Sequence, residues 1–484
     1  MTEKESKVAI KRTPSELGIG DLTGGNKLWI GKDYCNFILK DPCDFHKPFE
    51  DSIDRMKYPR LPWHDIGMKV KDLAARDVAR HFIERWNFTK CQKAQFYDKY
   101  DWLLPKTTNI DPPKDSDTDI LPEYAAAEFN AECQIVRSVS DWSTGTKINE
   151  SSIYESYIDI IDNSEHYIYI ENQFFITRSG GLKKYPREVM NEIGEALVRR
   201  IIRAYRSGQV FRVYVVIPLL PAFEGELGTP TGTNLEVITH WNMKSICRGS
   251  DSLLERLRRE IGEKTSQYIS FFGLRNYGFV DDRLVSELIY VHSKIMIVDD
   301  RVALIGSSNI NDRSLTGYRD SEVACIIRDT LMEESLMNGK PYQSGPFAGS
   351  LRRYLFREHL GLFNKPATPS GVFTKKDKKD RIDIRDPVSD KFYNDTWLRI
   401  AKNNSAIYDT VFGAIPCDSV HNYEQLKQWK AKSWLVDVDP AEAKQKVAQI
   451  RGHLVIFPLD FLRDENLEPA PGTRQALVPH TVWT

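Results

Sequence analysis

The chain has 484 residues, enough to bury a large core and to form more than one compact unit. Its formal net charge of −1, with 28% charged and 41% apolar residues, supplies no global field that would draw in nucleic acid or anionic lipid. The 7 cysteines, odd in number and without a C-x-x-C pair, argue against a disulfide framework and for free thiols in a reducing compartment, and no apolar run nears the roughly 20 residues that span a bilayer.

Residues 1–25 are polar and Gly-rich and read as a flexible entry. Val70, Leu73, Ala74, Val78, Phe82, Ile83 and Trp86 then recur at helical spacing, ahead of a turn-rich linker at Pro112-Pro113-Lys114-Asp115. A short strand is expected over 134–139. From residue 150 the chain alternates, with helices expected over 153–163, 189–205, 235–259 and 351–362 and strands over 166–171, 211–217, 268–272, 289–298 and 302–305. That alternation predicts an α/β fold around a largely buried sheet. Residues 364–380 form an exposed Lys-rich loop, and turns alternate with short apolar runs beyond it.

The chemistry gathers at His292-Ser293-Lys294. On the strand expected over 289–298, His292 and Lys294 share a face. Asp299 falls on the other parity or past the strand end, which suits a supporting role. Gly306 permits close backbone approach, and Ser307 and Asn309, spaced by two, present a hydroxyl and an amide. A lysine and such donors suit the nonbridging oxygens of a phosphodiester, and an imidazole can attack phosphorus or carry a proton near neutral pH. Glu322, in Arg319-Asp320-Ser321-Glu322, is expected to orient His292 and raise its pKa. An isolated H-x-K is usually a satisfied histidine beside a surface charge; the following Gly-Ser-x-Asn is what lifts this one above that reading.

Arg76 and Arg80 lie one helical turn apart, with Arg85, Lys90 and Lys93 beyond them and Phe82 and Trp86 between. Such a helix can offer a cationic face to a membrane, or be an ordinary solvated face. His166 and His240 read as structural. His64, in Pro62-Trp63-His64-Asp65, is a candidate for the cleft wall.

The pattern His292-x-Lys294-x4-Asp299-x6-Gly306-Ser307-x-Asn309 resembles the HKD signature of the phospholipase D superfamily. Tyr169-Ile170-Glu171-Asn172-Gln173-Phe174-Phe175, Leu219-Leu220-Pro221-Ala222-Phe223, Asn311-Asp312-Arg313-Ser314 and the closing Val482-Trp483-Thr484 resemble the eukaryotic phosphatidylcholine-hydrolysing members. The resemblance implies a bilobal α/β fold of mixed sheets flanked by helices, with one cassette per lobe. There, one histidine forms a phosphohistidine and the second-cassette histidine protonates the leaving choline, then activates water or an alcohol. His292 takes that acid/base role; Lys294, Ser307 and Asn309 hold phosphate, and Thr484 lies near the active site. Only His292 of the 10 histidines opens an H-x-K, so the first lobe is expected to be incomplete and the chain inactive alone. The implied division is a partial first lobe over 26–125, a second lobe over 126–363 and a C-terminal extension over 381–484 packed on the catalytic lobes. No cofactor or metal is expected. Phosphatidylinositol 4,5-bisphosphate is implied as activator through the Arg76–Lys93 stretch, with small GTPases or kinases as regulators. The expected setting is cytoplasmic, peripheral on a phosphatidylcholine membrane, without nucleic acid as partner. The alternatives are a non-catalytic lipid- or partner-binding fragment and a nuclease on the same scaffold.

Overall fold

The computed structural model describes residues 30–93, 100–104, 129–180, 189–363, 382–468 and 484; the expected flexible entry at 1–25, the Pro112-Pro113 turn and the Lys-rich loop at 364–380 lie outside them. In chain order the strands are β1 (Trp63–His64), β2 (Ala131–Val139), β3 (Glu150–Ser151), β4 (Tyr167–Glu171), β5 (Arg212–Val216), β6 (Ile269–Val280), β7 (Arg283–Val291), β8 (Ile295–Val298), β9 (Val302–Gly306), β10 (Glu322–Asp329), β11 (Glu333–Met337), β12 (Lys340–Ser344) and β13 (Leu454–Ile456). The longer helices are α1 (Asp72–Lys93), α2 (Ser152–Asn163), α3 (Ile193–Arg206), α4 (Thr233–Ile246), α5 (Leu253–Ile261), α6 (Pro346–His359), α7 (Arg399–Phe412), α8 (Tyr423–Ala431) and α9 (Pro440–Val447).

Eleven strands form one mixed sheet in the order β1-β7-β6-β5-β4-β8-β9-β10-β2-β3, with β13 added on β6. Its centre is β4 and β5, paired in parallel and buried at every residue. Near-continuous Tyr/Ile/Val runs are what strands covered on both faces require. Side chains alternate between two cores. On one side Ile168, Ile170, Val213 and Val215 pack with Ile161 of α2 and Leu197 of α3. On the other, Tyr167, Tyr169 and Tyr214 meet Phe356 of α6 and Trp397, whose rings lie 4.5 Å apart. Trp397 is wholly buried, so residues after 381 complete this second core.

Several expected elements take a different form. The strand expected over 289–298 is broken: β7 stops at Val291 beside β6, β8 starts at Ile295 beside β4, and His292-Ser293-Lys294 make the crossing. The helix expected over 235–259 divides into α4 and α5 because Gly249 (φ 81°) turns the chain between them. From residue 399 the described chain forms four helices, α7, α8, a short one at Leu435–Val438 and α9, rather than turns and short runs alone. Helix α1 has no buried residue; Leu73 and Phe82, part of the helical pattern, are 73% and 56% exposed. No described helix is long and apolar enough to cross a membrane.

Candidate active site

Strand β1 sets the site. Its residues pair in parallel with the end of β7, Trp63 against Tyr290 and His64 against Val291. The His64 carbonyl then accepts the N–H groups of His292 (2.7 Å) and Ser293 (3.2 Å), drawing the cassette out of the sheet ladder. Asp65, next in the chain, reaches the imidazole, with Oδ2 2.7 Å from His292 Nδ1. The Trp63 ring stands 4.7 Å from the imidazole, centroid to centroid. Lys294 is buried and donates to Gln173 Oε1 at 3.0 Å and to the His292 carbonyl at 2.6 Å.

The second half of the cassette comes alongside through β9. The Gly306 N–H donates to the Lys294 carbonyl at 3.1 Å, and a Cβ on Gly306 would come within 2.3 Å of the Ala324 Cβ. Glycine is what allows β9 to pair this closely with β10. Ser307 is exposed and its Oγ donates to Glu322 Oε2 at 2.5 Å. Asn309 is half-buried, and its Oδ1 has no hydrogen-bond partner among the described residues.

Burial lowers the His292 pKa below its ordinary value; the Asp65 hydrogen bond opposes this and the Lys294 charge adds to it. Burial raises Asp65, but the hydrogen bonds from His292 and the Ile66 N–H outweigh it, and the carboxyl ends below its usual value. Lys294 is pushed down by burial to about 8, against Asp65 and Glu322. Burial lifts Glu322 above its usual value. The result at neutral pH is an uncharged imidazole oriented by a carboxylate beside an ammonium group.

Two site expectations change. The carboxylate on His292 is Asp65, not Glu322, because β1 brings Asp65 to the ring while Glu322 is engaged by Ser307. Asp299 stands away from the imidazole, and its carboxylate accepts the backbone N–H groups of Glu165, His166 and Tyr167 at 2.7–2.9 Å. It fixes the entry to β4, in line with its strand parity. The terminal Thr484 carbonyl oxygen is held by the Asp312 N–H at 2.5 Å, in the Asn311-Asp312-Arg313-Ser314 turn.

The basic residues of α1 are partly engaged. Arg80 pairs with Asp77 at 2.6 Å, Arg85 donates to the Ser143 carbonyl at 3.0 Å, and Lys90 binds the Tyr100 carbonyl. Arg76 is half-buried and Lys93 exposed at the helix end. A cavity of about 680 Å³ opens between α1 and β2, lined by Arg80, His81 and Arg137 together with Asp77, Glu84 and Glu150.

Sequence reasoning missed a buried cluster behind the cassette. Glu171 Oε2 accepts from His64 Nε2 (2.9 Å) and Ser293 Oγ; Oε1 accepts from His359 Nε2 (2.9 Å) and Tyr169 OH. Tyr169 OH also lies 2.7 Å from His359 Nε2. Burial works against charge on His64, but Glu171, with Glu358 and Asp65 behind it, raises it to about 9. Burial likewise opposes the Glu171 charge, yet His64 and His359 hold its carboxyl well below the ordinary value. One signal was available: a carboxylate ending an otherwise apolar, fully buried strand has to be paired. Nothing local marked His359. The donor atoms of His64, Glu171 and His359 lie within 4.8 Å of one another, as a cation site would need. Both carboxylate oxygens, however, already receive N–H and O–H protons where a metal would sit, so this donor set fits shared protons rather than an ion.

Comparison with known proteins agrees with this geometry. The family model described as "Phospholipase D" matches residues 36–286 and again 282–378. Phospholipase D1 of Homo sapiens is 47% identical over 97% of this chain and 41% of its own length. Phospholipase D2 of Bos taurus is 44% identical over 96% of the chain and 47% of its own, and phospholipase D zeta 2 of Arabidopsis thaliana is 37% identical over 91% and 50%. The chain thus spans half or less of the length of these relatives. The double match overturns the expected incomplete first lobe, since the family pattern extends over 36–286, upstream of His292, as well as over 282–378. The expectation of an inactive half is corrected with it, by that match and by the assembled His64–Glu171–His359 cluster.

Proposed function

Because the chain belongs to the phospholipase D family of phosphodiesterase hydrolases, we propose that it cleaves phosphatidylcholine to phosphatidic acid and choline, with alcohols competing against water. The observation that carries this reading is the Asp65–His292 pair set beside Lys294. Asp65 occupies Nδ1 and leaves Nε2 as the nitrogen that moves protons. The unprotonated Nε2 takes the proton of the incoming water or alcohol as its oxygen bonds to phosphorus, and the Nε2–H so formed gives that proton to the choline oxygen as the choline–phosphorus bond breaks. A group that must first take and then give a proton works best with a pKa near the working pH, which burial and Asp65 set from opposite sides. Lys294, Ser307 and Asn309 carry the nonbridging oxygens, where each preorganised donor is worth about 3–4 kcal/mol in the transition state. Such a reaction meets its substrate at the bilayer surface. The basic side chains of α1, from Arg76 to Lys93, support phosphoinositide as the activating lipid there.

The test is choline release and phosphatidylethanol formation by the purified 484-residue chain on phosphatidylcholine vesicles with ethanol. We expect both, and expect His292→Asn to abolish both. Equal turnover by the two proteins overturns the reading. For the lipid activator, charge reversal of Arg76 and Arg80 is expected to weaken sedimentation with phosphoinositide vesicles; unchanged sedimentation counts against it.

A further inference from the structure

The pair that does the chemistry is assembled from distant parts of the chain, 227 residues apart, and one acidic side chain touches the immediate neighbour of each member. His64 precedes Asp65, and Ser293 follows His292; both donate to the same oxygen, Glu171 Oε2. The other oxygen, Oε1, is tied to His359 at the end of α6 and to Tyr169 within β4. One oxygen holds the segments that carry Asp65 and His292, and the other holds the carboxylate to the wholly buried core. We propose that Glu171 is a positioning residue for the reaction, a clamp that fixes the spacing of Asp65 and His292 through His64 and Ser293 without touching substrate.

The local chain supports this assignment. Glu171 is the last residue of β4, where its backbone pairs with Ile295, directly after Lys294. Gln173, two residues on, takes Lys294 Nζ on its Oε1 and donates to the Tyr290 hydroxyl at 2.7 Å. The Glu171–Gln173 segment therefore braces consecutive members of the cassette, Ser293 and then Lys294. The intervening residue of the H-x-K pattern is not filler: its hydroxyl is the cassette's tether to the core. Hydrogen bonds to a charged acceptor are worth about twice neutral ones, and four of them converge on this carboxylate. A displacement of about 1 Å in a reacting pair costs on the order of 100-fold in rate.

This inference rests on the phospholipase reading for its kinetic consequence but not for its geometric one, so two readouts are needed. The first is choline release by wild type, Ser293→Ala, Ser293→Thr and Glu171→Gln. The second is the titration of the His292 Cε1–H resonance in histidine-labelled protein, assigned by its loss in His292→Asn. The charged groups facing His292 are Asp65 and Lys294, with Glu322 beyond Lys294. We expect Ser293→Ala to lower kcat by roughly 10-fold and Glu171→Gln by roughly 100-fold, with KM little changed. Ser293→Thr, which keeps the hydroxyl, should restore most of the loss. In both damaged variants the His292 midpoint should fall, because Asp65 raises it and is no longer held in place. An unchanged His292 midpoint in folded Ser293→Ala overturns the clamp, whatever the kinetics. Failure of wild type to release choline overturns the phospholipase reading and leaves the titration to decide the clamp. If Glu171→Gln does not fold, Ser293→Ala, which deletes one oxygen, carries the test alone.

Discussion

Two histidine–carboxylate pairs stand side by side in this protein and behave in opposite ways. Glu171 is wholly buried and His64 keeps only 12% side-chain exposure, whereas the side chains of His292 and Asp65 are 33% and 45% exposed. The members interleave in sequence, His64 beside Asp65 and Ser293 beside His292. In the buried pair a carboxylate with 0% exposure lifts its imidazole to about 9 and fixes the charge. In the outer pair burial and Lys294 bring the imidazole below its ordinary value although a carboxylate touches it. The number and chemistry of the surrounding groups decide the outcome. Glu171 gathers four donors and is anchored, whereas Asp65 shares its imidazole with a competing cation. The same residue types yield a permanent ion pair in one place and a proton carrier in the other.

The outer pair should be the more sensitive in activity. Asp65→Asn keeps the shape but removes the charge that orients Nδ1, and kcat is expected to fall on the order of 10,000-fold, as when a base loses its orienting carboxylate. Since Asp65 raises the His292 pKa, any residual activity should show its acidic limb displaced to lower pH in a kcat–pH profile. Lys294→Met should cost about 100-fold through lost charge stabilisation, read as kcat at saturating lipid.

The inner pair should be the more sensitive in stability. Glu171→Ala leaves His64 and His359 without their partner, and urea unfolding should register a loss of about 3–5 kcal/mol. The pH dependence follows from the signs. The raised His64 contributes stability that is full below about 6.5 and is lost as pH rises through about 9. The lowered Glu171 contributes stability above about 4.3 that is lost as pH falls. The pair is therefore most effective between about 4.3 and 6.5, and the thermal midpoint of wild type should drop by roughly 3–6 °C between pH 6.5 and 9.5. His64→Phe should flatten that slope. The smallest effect is expected at Glu322, which bonds Ser307 and not His292: Glu322→Gln should lower kcat about 3-fold, the worth of one ordinary hydrogen bond.

What could be seen in the sequence was what lies close together along it. His292, Lys294, Ser307 and Asn309 fall within one short stretch, and their spacing announced phosphate chemistry. The partners that give those groups their properties were not visible. Asp65 is 227 residues from His292, Glu171 is 122 from Ser293, and His359 is 188 from Glu171. The sheet order brings the first two pairs together, and the packing of α6 against the sheet brings His359 to Glu171. Glu322 was the nearer carboxylate in sequence and so drew an assignment that strand pairing gives to Asp65. The central strands β4 and β5 were legible because an uninterrupted apolar run has few other places to go. Helix α1 shows the converse: its helical period held, but periodicity alone did not reveal that Leu73 and Phe82 would stay exposed and Ala74, Val78, Ile83 and Trp86 only half-buried.

The proton-moving pair hangs on a strand of two residues at the very edge of the sheet. Peeling β1 from β7 would part Asp65 from His292 and leave the β6-β5-β4-β8 ladder standing. Such local opening costs less than global unfolding. Warming should therefore silence the enzyme before it melts, with the temperature of half-lost activity below the calorimetric midpoint. Heat tolerance of catalysis is then a property of the sheet's margin, and engineering it means fastening β1 rather than refilling a core that is already closed.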